Sequence, residues 1–254
     1  MTFFLPGDLL NSLVEHSSWK RALFALLGML FAVSCFSLPS YPVMADDGGM
    51  GEKRPFIMPF DGDPGPDTWL FIQPYGNTTF AYQYRYSVYY GGQGLHFGID
   101  LEAPCGTPVL AIGDGVVESI DSWHGAGPHN LMIYHANGYA SFYGHLLVRA
   151  RLNIGQRVKA GQVVALSGDP DRTCTSRPHL HLEIRDVETE AIAYNPIELI
   201  EADWDRIALS GSTPVDFEQD LEAPGKWVSL LDQPQTRFGY PLLNNYVSPW
   251  PYDW

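Results

Sequence analysis

Between residues 95 and about 200 the chain is a dense series of short β-branched or aromatic runs, each closed by a turn signal, and no other feature restricts the fold as much. The runs are Pro108 to Ile112, Val116 to Ile120, Leu131 to His135, Tyr139 to Tyr143, Val163 to Ser167 and Leu180 to Ile184. Gly113-Asp114-Gly115, Asn137-Gly138, Gly155, Gly161 and Gly168-Asp169 separate them. Asn137-Gly138 is the sharpest of these, because a two-residue hairpin needs positive φ at both central positions. No long helical period interrupts the section, so the expected class is all-β.

The flanks differ in composition. Residues 46–94 are rich in Pro, Gly and aromatics, including Tyr82-Gln83-Tyr84-Arg85-Tyr86 and Tyr89-Tyr90, and read as short strands and ordered loops leading into the core at 95–200. Residues 201–254 form an acidic extension with nine Asp or Glu against three Lys or Arg. That extension also carries Trp204, Trp227, Trp250 and Trp254, too many aromatics for a plain solvated tail. The whole chain has a formal net charge of -14. Such a surface repels phosphate backbones, which argues against nucleic acid as a partner.

Residues 1–45 read as a targeting segment. Lys20 and Arg21 precede an uncharged stretch from Ala22 to Ala45, with an apolar centre at Ala22 to Phe36 and a small-residue end, Val43-Met44-Ala45. A cleaved signal is the reading adopted; an uncleaved N-terminal membrane anchor is the competitor, and a lipoprotein at Cys35 lacks the usual upstream Leu. All three export the remainder to the periplasm, cell envelope or exterior. Oxidation is then chemically allowed for Cys105 and Cys174. Spacing does not decide between a bridge and two free thiols.

Four of the eight histidines fall in three patterns. His96-Phe97-Gly98-Ile99-Asp100 keeps a His and an Asp on one face of an extended segment, and His179-Leu180-His181 does the same for two imidazoles. Alone, each is weak; a His-x-His is more often a surface accident. Together they supply His, Asp and His with a spare imidazole, where a catalytic zinc wants three protein ligands and an open position. Neither Cys105 nor Cys174 lies in a CxxC pair, so thiolate ligation is not expected. The other patterned histidine sits in Tyr143-Gly144-His145-Leu146.

At these residues the chain resembles the lysostaphin/LytM-type zinc endopeptidases that cut peptidoglycan. His-x-x-x-Asp, a Tyr-x-His-Leu-like segment and His-x-His stand in that family's order. The flanks match as well: Gly98 to Leu101, Ala103-Pro104, Gly106 to Val109, Gly113 to Val117 and Arg177 to Glu183. The resemblance spans about residues 70 to 200. It implies an open antiparallel β-sheet sandwich of the barrel-sandwich hybrid type, with a groove holding the metal. It implies zinc on His96, Asp100 and His181, with His145 and His179 as the unliganded catalytic pair and a zinc-activated water as nucleophile. It also puts Tyr90, six residues before His96, where some members carry a Tyr near the reacting carbonyl. The loop from Asp169 to Arg177 departs from the family by being longer and more charged, which bears on substrate subsites rather than on metal.

Gly155-x-x-Val158-x-x-Gly161-x-x-Val164 also occurs in biotinyl and lipoyl carrier domains, but no Lys follows at a hairpin tip. A noncatalytic relative that binds and activates cell-wall hydrolases would have lost ligands or catalytic histidines, and here all are present. His135, before the Asn137-Gly138 turn, reads as structural, and His124 and His129 as loop residues at the groove rim.

Overall fold

The computed structural model describes residues 53–211, 218–223 and 225–245; the targeting segment lies outside these. Among the described residues no helix is long and apolar enough to cross a membrane. In chain order the strands are β1 (Leu70–Gln73), β2 (Ile99–Glu102), β3 (Pro108–Leu110), β4 (Gly115–Ile120), β5 (Leu131–Tyr134), β6 (Tyr139–Gly144), β7 (Arg157–Val158), β8 (Val163–Leu166), β9 (His179–Asp186), β10 (Ile192–Tyr194), β11 (Glu218–Gln219), β12 (Trp227–Val228) and β13 (Thr236–Arg237). Three short helices join them: α1 (Thr79–Gln83), α2 (Pro196–Leu199) and α3 (Trp204–Ser210). The fold is all-β in character, as expected.

One large open antiparallel sheet runs in the order β1-β2-β9-β6-β5-β4-β7, with β10 on the far end of β9 and β13 beyond it. A separate two-stranded antiparallel sheet pairs β3 with β8. The eight-residue β9 is the spine, and strict alternation gives it two chemically distinct faces. Leu180, Leu182 and Ile184 pack into the main core with Ile99, Leu101, Leu131, Ile133 and Tyr143. His179, His181, Glu183 and Arg185 take the opposite face. Registry then carries function: β2 sets Asp100 opposite His181 and Glu102 opposite His179, while β6 sets Gly144 opposite His181. A one-residue slip would turn every one of these side chains into the core.

Two glycines keep this registry close. A Cβ on Gly98 would lie 2.5 Å from the Leu182 carbonyl oxygen and 2.9 Å from His181 Cε1, and one on Gly144 would collide with Ala126. Neither clash is with the free end of a flexible side chain, so both positions exclude larger residues.

His135 is structural. Its Nδ1 donates to the Asp114 carbonyl at 2.9 Å and its Nε2 meets the Ser141 hydroxyl at 2.8 Å. The Ser141 and Tyr143 hydroxyls bond to each other at 3.1 Å, and the Ile112 N–H donates to Tyr143 at 2.9 Å. Burial holds the His135 pKa below its usual value. The unfolded chain therefore binds this proton more readily, and stability falls as pH drops from about 6.5 toward the depressed folded value. We expect His135→Asn to flatten that part of the stability–pH curve. Urea titrations between pH 5 and 7 check it; an unchanged slope would assign the loss to other groups.

Candidate metal centre

Three side chains converge on the polar face of the sheet. His96 Nε2 lies 3.3 Å from Asp100 Oδ1 and 3.1 Å from His181 Nδ1, and the latter is 2.8 Å from Asp100 Oδ1. All three residues are buried.

The partners behind them decide what these atoms are. His96 Nδ1 lies 2.7 Å from the Pro74 carbonyl, which only accepts, so Nδ1 carries the hydrogen and Nε2 the lone pair. His181 Nε2 faces Glu183 Oε1 at 3.0 Å, which leaves the lone pair on Nδ1. Two imidazole lone pairs and a carboxylate oxygen therefore point at one another, and such a set requires a cation among them. The spacings approach the roughly 3.3 Å edge of a tetrahedron with bonds near 2.05 Å, so the donors fit zinc. Without a metal a proton does the same work. Burial disfavours the charged His181, but hydrogen bonds to Asp100 and Glu183 outweigh it and push its pKa up to about 9. Burial likewise opposes ionisation of Asp100, yet His96, His179 and His181 hold its carboxyl well below the usual range.

A further tier orients these three side chains, of the kind that commonly stands behind metal-binding histidine. Arg185 Nε donates to Glu183 Oε2 at 2.5 Å, so the fully buried Glu183 keeps its charge. The Arg185 guanidinium lies over the Phe142 and Phe238 rings at 5.0 and 4.4 Å. His124 lies 3.4 Å from Arg185 and 3.3 Å from Glu190, so it braces this tier rather than only lining a loop. Glu183, Arg185 and His124 carry no role in the motif reading. The alternation of β9 was the available signal, since it places Glu183 and Arg185 on the face of His181.

His145 and His179 complete the site. His145 follows β6 with φ of 55°, a left-handed conformation uncommon for a side-chain-bearing residue, and this turns its ring back over the sheet. Its N–H donates to the Ala126 carbonyl at 2.8 Å and its Nδ1 to that of Gly127 at 2.5 Å. His179 Nδ1 donates to the Arg177 carbonyl at 2.7 Å. Both rings thus leave Nε2 available. They pack edge to face at 4.8 Å between centroids, and His179 Nε2 is 3.8 Å from Asp100 Oδ2. Burial, reinforced by His181 and His179, lowers the His145 pKa to about 4. It is therefore uncharged at neutral pH.

Tyr90 is not brought to this cluster; it opens a 3₁₀ turn and is 62% exposed. Its neighbour Tyr89 is buried, with its ring edge-on to His96 at 5.6 Å and its hydroxyl near Gln73. A motif offset of one residue cannot tell the two apart.

Cys105 and Cys174 form a disulfide with Cα atoms 5.8 Å apart. It ties the turn after β2 to the loop before His179. That loop is also internally bonded: the buried Asp169 carboxylate accepts from the N–H groups of Asp171 and Ser176 and from the Ser176 hydroxyl. The bridge spans 69 residues, so the loop-closure entropy it removes from the unfolded chain makes opening it cost about 4 kcal/mol. Denaturant titration of Cys105→Ser/Cys174→Ser against the oxidised protein measures this, and equal midpoints would contradict it.

His96, Asp100 and His181 are a buried donor set that could hold a metal ion, with two further imidazoles alongside. Residues 94–196 match the model of Peptidase family M23. Among curated proteins, peptidoglycan DD-endopeptidase ShyC of Vibrio cholerae is 42% identical over 88 residues, covering 35% of this chain and 19% of that protein. DD-carboxypeptidase/endopeptidase Mpg of Neisseria meningitidis is 38% identical over 113 residues, covering 43% of this chain and 25% of that one. The chain therefore spans a quarter or less of the length of these two relatives. Among solved structures, the catalytic domain of the prophage-encoded M23 protein EnpA from Enterococcus faecalis is 30% identical, with a TM-score of 0.41 over 56% of this chain and 95% of that one.

Proposed function

We propose that this protein is a zinc-dependent endopeptidase that hydrolyses peptide bonds in the stems or cross-bridges of bacterial peptidoglycan, in the cell envelope outside the cytoplasmic membrane. One observation carries the reading: three buried donors that demand a cation lie beside two imidazoles that the cation does not need. The match of residues 94–196 to the M23 family model, with relatives named as peptidoglycan endopeptidases, supports the substrate class. His96, Asp100 and His181 are the metal ligands. Zinc, when bound there, supplies Lewis-acid polarisation of the scissile carbonyl and makes water acidic enough to ionise near neutral pH.

The chain's own residues manage the protons. Hydrolysis adds hydroxide to the carbonyl carbon, breaks the C–N bond and delivers the water's other proton to the leaving amine. Imidazole suits both transfers, because it accepts and donates near the working pH. His145 and His179 divide these tasks: accepting the water's proton, and supporting the oxyanion or protonating the amine. The carbonyls of Gly127 and Arg177 hold both Nδ1 hydrogens, so each ring works through Nε2. Burial lowers the His145 pKa, so the ring is uncharged at pH 7 and its Nε2 lone pair is free to accept a hydrogen bond from the attacking water.

Digestion of purified peptidoglycan by the exported part of the chain, read by mass spectrometry, tests the reading. Fragments with new amino and carboxyl ends within stems or bridges are expected. A zinc-loaded protein that releases none would favour the regulator that binds and activates other hydrolases.

A further inference from the structure

We propose that residues 229–245 are a strap that positions the metal ligands, so that the acidic extension is part of the active-site machinery. The proposal rests on the metal reading above and concerns what holds His96 and His181 in place. His96 sits between two segments. Its backbone pairs with Gly76 in both directions, at 2.7 and 2.8 Å, and its side chain is tied to Pro74. The strap grips both flanks of this pairing. On one side the Asn77 N–H donates to Gln233 Oε1 at 2.9 Å, and the Tyr75 hydroxyl bonds the backbone of Pro234 and Thr236. On the other side Gln93 is sutured three ways. Its Oε1 accepts from the Arg237 N–H, its Nε2 donates to the Pro241 carbonyl, and its own carbonyl accepts from the Leu243 N–H, at 2.7, 3.2 and 2.9 Å. The Asn244 amide then donates to the Gly94 carbonyl.

The fit is cut into the sequence on both partners. A Cβ on Gly76 would collide with Gln233, and one on Gly94 with Asn244. Both glycines have positive φ, and Gln233 and Asn244 are buried. The strap also reaches His181. Strand β13 pairs with β10 and sets Phe238 against Phe97, at 5.0 Å between centroids, and under Arg185. Phe97 in turn packs edge-on to His181 at 5.6 Å. The strap therefore closes the back of the ligand set, behind both histidines and the Glu183–Arg185 pair. A surface tail would need none of this, and removing the strap's side chains should loosen His96 before it unfolds the sheet.

The test uses the full exported chain carrying Gln233→Ala/Asn244→Ala, with Gln233→Glu as the conservative variant and Trp204→Ala as a control for general destabilisation. Trp204 packs against Phe71 in the main core and donates its indole N–H to the Ile200 carbonyl, without contact to His96, Asp100 or His181. Two readouts are taken: amide hydrogen exchange at Gly76 and His96 in metal-free protein, and zinc and cobalt affinity by chelator competition. The double variant should exchange these amides at least tenfold faster and bind zinc about tenfold more weakly, within the range typical of outer-shell changes. Gln233→Glu, which keeps the acceptor for Asn77, should restore most of both, and Trp204→Ala should change neither. A folded double variant with unchanged exchange at His96 would overturn the strap. So would a zinc loss of equal size in Trp204→Ala. If the double variant does not fold, single Asn244→Ala is read in the same way. A wild type that binds neither ion would overturn the metal reading, and the positioning claim with it.

Discussion

Asp100→Ala should yield a protein that folds, holds no stoichiometric zinc and releases no peptidoglycan fragments. Asp100 is the one anionic member of the proposed ligand set, and its carboxylate lies within 3.8 Å of a nitrogen on each of His96, His179 and His181. Removing it leaves two neutral imidazole donors and no charge to offset a divalent cation. The fold should survive, because β2 keeps its backbone ladder to β9 and buries Ile99 and Leu101 unchanged. The variant also loses a group that favours charged His181, so the two ligand imidazoles are left to share a proton or remain neutral. Zinc content after dialysis against a weak chelator checks the expectation. A full equivalent of zinc would remove Asp100 from the ligand shell.

His145→Ala and His179→Ala should behave in the opposite way, keeping zinc and losing hydrolysis. Neither ring is needed to complete the three donors, and each has its Nδ1 tied to a backbone carbonyl away from the ligand set. Loss of one positioned acid or base costs roughly 10²–10⁴-fold in rate. Because the two rings pack on each other at 4.8 Å, removal of one frees the other to move. The double variant should therefore lose less than the product of the single losses. The measurement is the rate of fragment release at matched zinc occupancy. A single variant working at the wild-type rate would take that residue out of the catalytic pair.

The strand series and the site were legible to different extents, for physical reasons. Six runs anticipated from turn signals and β-branched residues appear as β3 to β6, β8 and β9, with ends shifted by one or two residues. Strands β1, β2, β10 and β13 were not legible, since two to four residues carry too little periodicity. Strands β1, β2 and β13 form by pairing with partners distant in sequence, and β10 by folding back on β9. Asp100 illustrates this: its place beside His181 is a consequence of β2–β9 registry, which local pattern does not encode. The ligand types themselves were visible because their chemistry requires His and Asp at even spacing. Glu183 and Arg185 were visible only as alternation, and Tyr89 was indistinguishable from Tyr90 by motif. The role of the extension was not legible, because its bonds run to Gln93, Gly94 and Tyr75, about 150 residues earlier.

The most direct test of the central claim is the location of zinc by anomalous diffraction at the zinc edge on crystals of the loaded protein. One ion is expected, bound by His96 Nε2, an Asp100 carboxylate oxygen and His181 Nδ1, with a fourth position free of protein and with His145 and His179 unligated. An ion held by His179 or His145 in place of His181, or one enclosed by four protein ligands, would contradict it.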